Sequence, residues 1–240
     1  MRYVRDVSRR SVLALGSLTS AGALAACGNG RGDNGRGGGG WRPNGRAYKP
    51  VLSIYPEAEA ALDVALAYDG QLTYCYPQPR QEGTSAVWSV TAAPGGTLTD
   101  PSGRTYPSLF WEGIAAKPFE QTEGFVVTRD RVTGLLEDML GLLGLTDREA
   151  AEFITFWAPR IEQHERSLLT FAADQHSQVA RYTFTDPGSG ASIVPDVFVR
   201  VYLLVGEVPD QEVPEQTLAS APPRTGLTAV EWGGSDLRGT

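Results

Sequence analysis

The chain has 240 residues, 41% of them hydrophobic, which suits one ordinary domain with a real core or two small ones. Its formal net charge of −7 sets up a field of the wrong sign for phosphate backbones and excludes nucleic-acid binding. With only two cysteines, Cys27 and Cys75, a disulfide-built fold is excluded as well.

The first segment, residues 1–26, reads as an export signal. Arg2, Arg5, Arg9 and Arg10 form a positive start, and a mildly apolar stretch from Val12 to Ala26 follows. A membrane-spanning helix needs roughly 20 consecutive apolar residues; Gly16, Ser17, Thr19, Ser20 and Gly22 interrupt this run, so cleavage is expected. Leu24-Ala25-Ala26-Cys27 resembles a bacterial lipobox, and Ser8-Arg9-Arg10-Ser11-Val12-Leu13 resembles the twin-arginine export motif, with Val12 where phenylalanine is usual. An ordinary Sec signal is the alternative route. The lipobox resemblance implies a diacylglycerol on the Cys27 sulfur, and two acyl chains anchor stably at about 0.8 kcal/mol per buried CH₂. Loss of a signal holding four arginines and one aspartate leaves a net charge of about −10. The expected location is the cell membrane, lipid-anchored and facing outside the cytoplasm, with Cys75 left as a buried, inert thiol.

Residues 27–48, including Gly37-Gly38-Gly39-Gly40, form a lipidated cysteine and a Gly-rich tether whose random-coil reach is on the order of 25 Å. Its Arg31-Gly32-Asp33 triplet follows from composition and is not read as an adhesion motif.

The folded domain is expected over 49–208. Leu62, Val64, Leu66 and Tyr68 alternate with smaller or polar residues, Asp69-Gly70 supplies a two-residue hairpin turn, and Leu72, Tyr74 and Tyr76 resume the alternation. Val87–Ala92 and Tyr106–Trp111 continue an antiparallel meander. Beyond Gly124 the period lengthens: Val132, Leu135, Leu136, Met139, Leu140 and Leu143 share a helical face, with Thr128 as N-cap and Gly144 as stop. Thr146-Asp147-Arg148-Glu149 is a capping box for a second helix striped by Ala150, Phe153, Ile154 and Trp157, which Pro159 kinks or ends. Strand character returns at Leu168–Phe171, Val179–Phe184 and Val197–Val205. Residues 209–240, rich in prolines and acids, read as an extended, partly disordered tail. The expected fold is therefore α+β, a single domain in which an antiparallel β-meander packs against an antiparallel helix pair.

Several segments together resemble a bacterial family without an established activity. They are Lys49-Pro50-Val51 with Tyr55-Pro56, then Gly70-Gln71-Leu72-Thr73-Tyr74-Cys75-Tyr76-Pro77, then Gly96-Thr97-Leu98. Tyr106 to Gly113, Gly124-Phe125-Val126-Val127 and Phe153 to Arg160 complete the series across residues 49–205. Cys75 stands where threonine is usual, and Trp88-Ser89-Val90 alters a Gly-Trp-x-Val segment. The resemblance implies a single α+β domain and carries over no residue roles.

His164 and His176 match no metal-ligand spacing and are read as surface histidines; no metal and no cofactor is expected. No serine sits in a nucleophile elbow, and no phosphate loop follows a strand. Glu112, after Leu109-Phe110-Trp111, is the one carboxylate beside a bulky aromatic run, and a carboxyl group against an indole can serve as a general acid. Tyr74, Tyr76, Trp88 and Trp111 are candidates to line a binding face for sugar or peptide. The leading expectation is a non-enzymatic, membrane-anchored interaction domain whose partner is an envelope protein or a cell-wall component. The alternative is a small cell-wall hydrolase with Glu112 as its acid.

Overall fold

The structure, a computed structural model, describes residues 46–238. The expected signal with Arg9 and Arg10, the lipidation residue Cys27 and the tether as far as residue 45 lie outside the described residues. The strands begin with β1 (Arg46–Tyr55), β2 (Ala60–Tyr68), β3 (Gly70–Tyr76), β4 (Arg80–Glu82) and β5 (Ser85–Ala92). Next come β6 (Leu98–Thr99), β7 (Thr105–Tyr106), β8 (Leu109–Ala115) and β9 (Phe125–Thr128), then helices α1 (Val132–Leu142) and α2 (Asp147–Ile161). The chain goes on through β10 (Arg166–Phe171), α3 (Ala173–Val179), β11 (Ala180–Thr185), β12 (Ser192–Ile193), β13 (Val197–Gly206) and β14 (Thr228–Asp236).

The strand pairing overturns the expected α+β fold of one meander on a helix pair. The described residues form two seven-stranded sheets: a first in the order β3-β8-β1-β14-β13-β10-β9, and a second in the order β12-β11-β2-β5-β6-β7 with β4 added to β5. The mistaken step lies at Asp69-Gly70, which is no hairpin. Strand β2 pairs with β5 and β11 in the second sheet, whereas β3 pairs with β8 in the first. Leu62, Val64 and Leu66 of β2 and Leu72 and Cys75 of β3 pack into the same core, and a register shift against β8 between Leu72 and Tyr74 turns Tyr74 and Tyr76 outward, against the expected alternation. The corner is held from both sides: Asp69 N–H donates to the Val179 carbonyl at 2.7 Å, and its own carbonyl accepts from Ala116 at 2.9 Å. A side chain at Gly70 would strike the Ile114 carbonyl, so only glycine permits this approach.

Alternation along β1 separates the two cores. Leu52 and Ile54 pack between the sheets with Leu62 and Leu66 of β2, while Val51 meets Leu136, Phe153 and Trp157 on the helix side. Three layers result, sheet on sheet with the helix pair on the outer face of the first sheet. Complete burial of each such side chain stabilises by about 1.5–3 kcal/mol.

The helices follow local chemistry closely. The capping box at Thr146 and Glu149 is formed in both directions. Gly144, at φ +90°, ends α1 in a Schellman motif: Leu145 N–H reaches the Leu140 carbonyl at 3.0 Å, and Gly144 N–H the Gly141 carbonyl at 3.1 Å. Thr128 does not cap α1, since a 3-10 turn over Arg129–Arg131 intervenes and the Arg131 side chain makes no cap hydrogen bond. Nor does Pro159 end α2, which continues to Ile161.

The expected tail is the largest correction. Residues 228–236 form β14, buried along nearly its whole length between β1 and β13 at the centre of the first sheet. It runs parallel to β13, and such a pair needs a long crossover. Residues 207–227 supply it as an extended strap over the helix layer: Ala221 N–H bonds the Leu142 carbonyl at 2.9 Å, and Gly124 N–H bonds the Pro214 carbonyl at 2.9 Å. No helix among the described residues is long and apolar enough to cross a membrane.

Candidate functional site

Two places in the fold concentrate chemistry-bearing side chains. The first is buried between the sheets. Glu231 stands in the middle of β14 and is 1% exposed. Arg200, its register partner on β13, donates to Glu231 Oε2 through Nε at 2.7 Å and Nη2 at 2.5 Å. From the second sheet, the Tyr182 hydroxyl donates to Oε1 at 2.8 Å and accepts from Trp111 Nε1 at 2.7 Å. From α3, His176 Nε2 lies 3.2 Å from the same Oε1.

The charges in this cluster resolve themselves. Burial pushes the Glu231 carboxyl up, but the Arg200 charge, His176 and the hydroxyl of Tyr182 outweigh it and hold the pKa at about 2. Burial lowers His176 against the pull of Glu231, so the ring is neutral. An ionised carboxylate only accepts, so the ring donates from Nε2 and leaves Nδ1 as an acceptor. Nδ1 is buried without a partner among the described residues, as is the Tyr68 hydroxyl. The ring also stacks on Tyr202, with centroids 3.7 Å apart. Arg200 Nη2 donates to the Ala180 carbonyl at 2.9 Å, so one guanidinium ties the two sheets together. A carboxylate enclosed in this way has no proton to give; the cluster is a polar rivet across the inner core.

The second place is the exposed end of the first sheet. Tyr74 and Tyr76 of β3 are 56% and 54% exposed. Register places Tyr74 opposite Glu112 and Tyr76 opposite Phe110 on the face away from the inner core. Phe110 lies against the Tyr74 ring at 5.9 Å, and the Tyr76 ring meets Tyr106 edge-on at 5.6 Å. Arg46 Nη2 pairs with Glu112 Oε2 at 3.6 Å.

The sequence candidates thus part company. Tyr74 and Tyr76 share an exposed face, as a binding surface requires. Trp88 and Trp111, at 3% and 0% exposure, belong to the inner core, with Trp88 Nε1 donating to the Pro77 carbonyl at 2.7 Å. Glu112 and Trp111 project to opposite faces of β8, so the carboxyl does not rest on that indole, and it is held by an arginine instead. Cys75 faces inward, and burial raises its thiol pKa to about 11, in keeping with an inert role. His164 is exposed as expected, but His176 is buried, a correction that follows from α3, a short helix with no sequence signal. No group of three or more metal-ligating side chains gathers among the described residues.

The buried cluster escaped sequence reasoning although a signal for it exists. Arg200 interrupts the apolar run Val197–Val205, and Glu231 stands between Val230 and Trp232. Two lone opposite charges in apolar strands stay buried only as a pair.

Fold and surfaces together define a three-layer β-sandwich domain backed by helices, with an aromatic sheet edge. Comparison with protein-family models, curated proteins and solved structures finds no match.

Proposed function

We propose that the chain is a lipid-anchored envelope protein that acts by binding, its partner an envelope protein or a wall component met at the Tyr74/Tyr76 face. The observation that carries the reading is the pair of tyrosines, each more than half exposed and fixed on one face by the rings of Phe110 and Tyr106. Rigid, amphipathic rings held on a strand give contact area at low entropic cost, which is why tyrosine is enriched at recognition surfaces. The lipobox resemblance at Cys27 and the glycine-rich segment after it support an anchor close to that partner.

Two measurements test the reading. Replacing Cys27→Ser should move the protein from the membrane fraction to the soluble fraction; continued membrane retention would sink the anchor. The released protein should co-sediment with envelopes prepared from cells lacking it, and Tyr74→Ala with Tyr76→Ala should cut that binding about tenfold, an ordinary loss for two contact aromatics. Binding indifferent to both tyrosines would remove the face from the proposal.

A further inference from the structure

We infer that the end of the domain at which β1 begins rests on the anionic headgroups of the membrane, and that the acidic opposite end points away from it. The inference rests on the lipid-anchor reading and deepens it.

Strand directions define the two ends. In the first sheet β1, β3 and β10 begin, and β8, β9, β13 and β14 finish, at a common end. There Arg46 pairs with Ile114, Gly70 with Ala115, Tyr48 with Gly234, Val205 with Asp236, Leu168 with Gly206 and Arg166 with Thr128. Helix α2 finishes at the same place, where Arg238 donates to the Arg160 carbonyl at 3.4 Å. The second sheet meets this end at the Asp69 corner, beside the start of β11.

Cations are divided unevenly between the ends. Residues 46–238 hold fourteen lysines and arginines against twenty-six aspartates and glutamates. Six of the fourteen, Arg46, Arg80, Arg148, Arg200, Arg224 and Arg238, pair with a carboxylate among the described residues. Seven of the other eight stand at or beside the β1 end, among them Lys49, Arg129, Arg131, Arg160 and Arg166, and only Arg104 lies elsewhere. Carboxylates are present there too, including Asp130 and Glu165, but Asp236 is taken by Arg238 at 2.5 Å and Glu162 accepts from Thr133 at 3.2 Å. The excess of acid therefore sits toward the other end, where Glu57, Glu59, Asp147 and Asp196 are all exposed. The domain is a charge dipole.

Lys49 and Arg160 show how the cations are presented. The Arg160 guanidinium lies 3.8 Å from the centroid of the Phe156 ring, and its one hydrogen bond among the described residues goes to the Phe156 carbonyl. Lys49 Nζ stands over the same ring at 5.1 Å and over Trp232 at 4.9 Å. Its backbone is held at φ +52°, the one non-glycine residue in the left-handed region among the described residues. Two cations that share a ring without a counter-ion repel each other, and a phosphate headgroup beside them relieves that repulsion.

Chain path and charge together select the occupant. Residues 28–45 carry three arginines and one aspartate and lead from Cys27 to Arg46, so the expected anchor is tied to this end and to no other. An anionic surface strengthens the binding of each nearby cation about fivefold and repels carboxylates, both within a Debye length of about 8 Å. Attraction and repulsion act together only when the β1 end faces the bilayer. On a chain of net charge −7 a few such contacts orient an anchored domain without retaining a released one. Strand β3 begins at this end and finishes at Tyr76, so the Tyr74/Tyr76 face is carried away from the bilayer toward its partner.

The experiment uses the full lipidated chain in phosphatidylcholine vesicles, with and without phosphatidylglycerol, and follows backbone hydrogen exchange. With phosphatidylglycerol, exchange over residues 128–131 and 160–166 should slow about fivefold, and exchange over 56–60 should not change. The slowing should vanish in about 1 M salt, where the Debye length is about 3 Å, and in the combined variant Arg129→Gln, Arg160→Gln, Arg166→Gln. Equal exchange on both vesicles, slowing over 56–60 instead, or slowing that survives salt would each overturn the inference, and none of these depends on the variant folding. So would inorganic phosphate reproducing the slowing on phosphatidylcholine alone, which would make the occupant a soluble anion. Should the Cys27→Ser chain stay with the membranes, the anchor and the orientation fall together; an anchored chain without lipid-dependent slowing overturns the orientation alone.

Discussion

Glu231 and Glu112 are both strand carboxylates paired with an arginine, yet their surroundings give them opposite energetic weights. The Glu231 side chain is 2% exposed, and replacing Glu231→Gln leaves Arg200 as an uncompensated charge beside the core. The expected cost is about 3–5 kcal/mol, read from urea unfolding at neutral pH. Glu112 is 23% exposed and its arginine 44%, so Glu112→Gln should change stability by less than about 1 kcal/mol. Equal losses in the two variants would mean that the buried cluster is not the rivet described. The same residues set a pH dependence. Folding lowers the His176 pKa, so the unfolded chain binds more protons there, and stability falls as pH drops below the unfolded value of about 6.5. Glu231, lowered to about 2, adds a second loss as pH falls below about 4.3, the unfolded glutamate value. Unfolding free energies at pH 7 and pH 5 should therefore differ in the native chain, and His176→Gln should flatten that difference; an unchanged slope would assign it elsewhere.

Among the elements, the strap of residues 207–227 makes the sharpest test of how the layers are held. Arg224 donates to the Gly144 carbonyl at 2.7 Å and to both oxygens of Glu149, which also accepts from the Tyr55 hydroxyl at 2.8 Å and completes the α2 capping box. Arg224→Ala should cost about 1–3 kcal/mol and speed protease cleavage within the strap before the rest of the domain yields. Simultaneous cleavage everywhere would show that the strap is no separate unit. What the sequence disclosed at this scale was local in origin. The Thr146–Glu149 capping box, the Gly144 stop and the run Val197–Val205 each depend on neighbours a few residues away. The Asp69-Gly70 corner was misread because alternation records which side of a strand is buried and carries no information about its hydrogen-bonded partner. Strand β14 was missed for a related reason. Buried on both faces, it lacks alternation, and Gly233 and Gly234 depress its strand propensity. The structure gives those glycines a purpose: a side chain at Gly233 would come within 2.8 Å of Pro50, and one at Gly234 within 2.6 Å of the Trp157 ring. Alternation alone puts Tyr74 and Tyr76 on the same face as Leu72; the register shift after Leu72, which leaves no trace in the pattern, is what turns them outward. Trp88 and Trp111 were not separable from them, since exposure depends on which sheet lies opposite.

For the whole molecule, the order of the first sheet ties early residues to late ones. Strand β14 pairs with β1, joining Tyr48 to Gly234 and Tyr55 to Thr228, and with β13 along its other side. A chain ending before Thr228 loses the strand that joins the two halves of that sheet and the carboxylate that neutralises Arg200. Such a truncation should show no cooperative thermal transition, whereas a native-like one would mean that β14 is dispensable. There is a consequence for the order of events during synthesis. Every other strand emerges from the ribosome before β14, so the sheet can assemble only its two flanks, β3-β8-β1 and β13-β10-β9, and must wait for the keystone between them. Contacts so distant in sequence close slowly. Were the chain exported, a translocase that carries folded cargo would have to wait until β14 is made, whereas one that threads an extended chain could begin earlier.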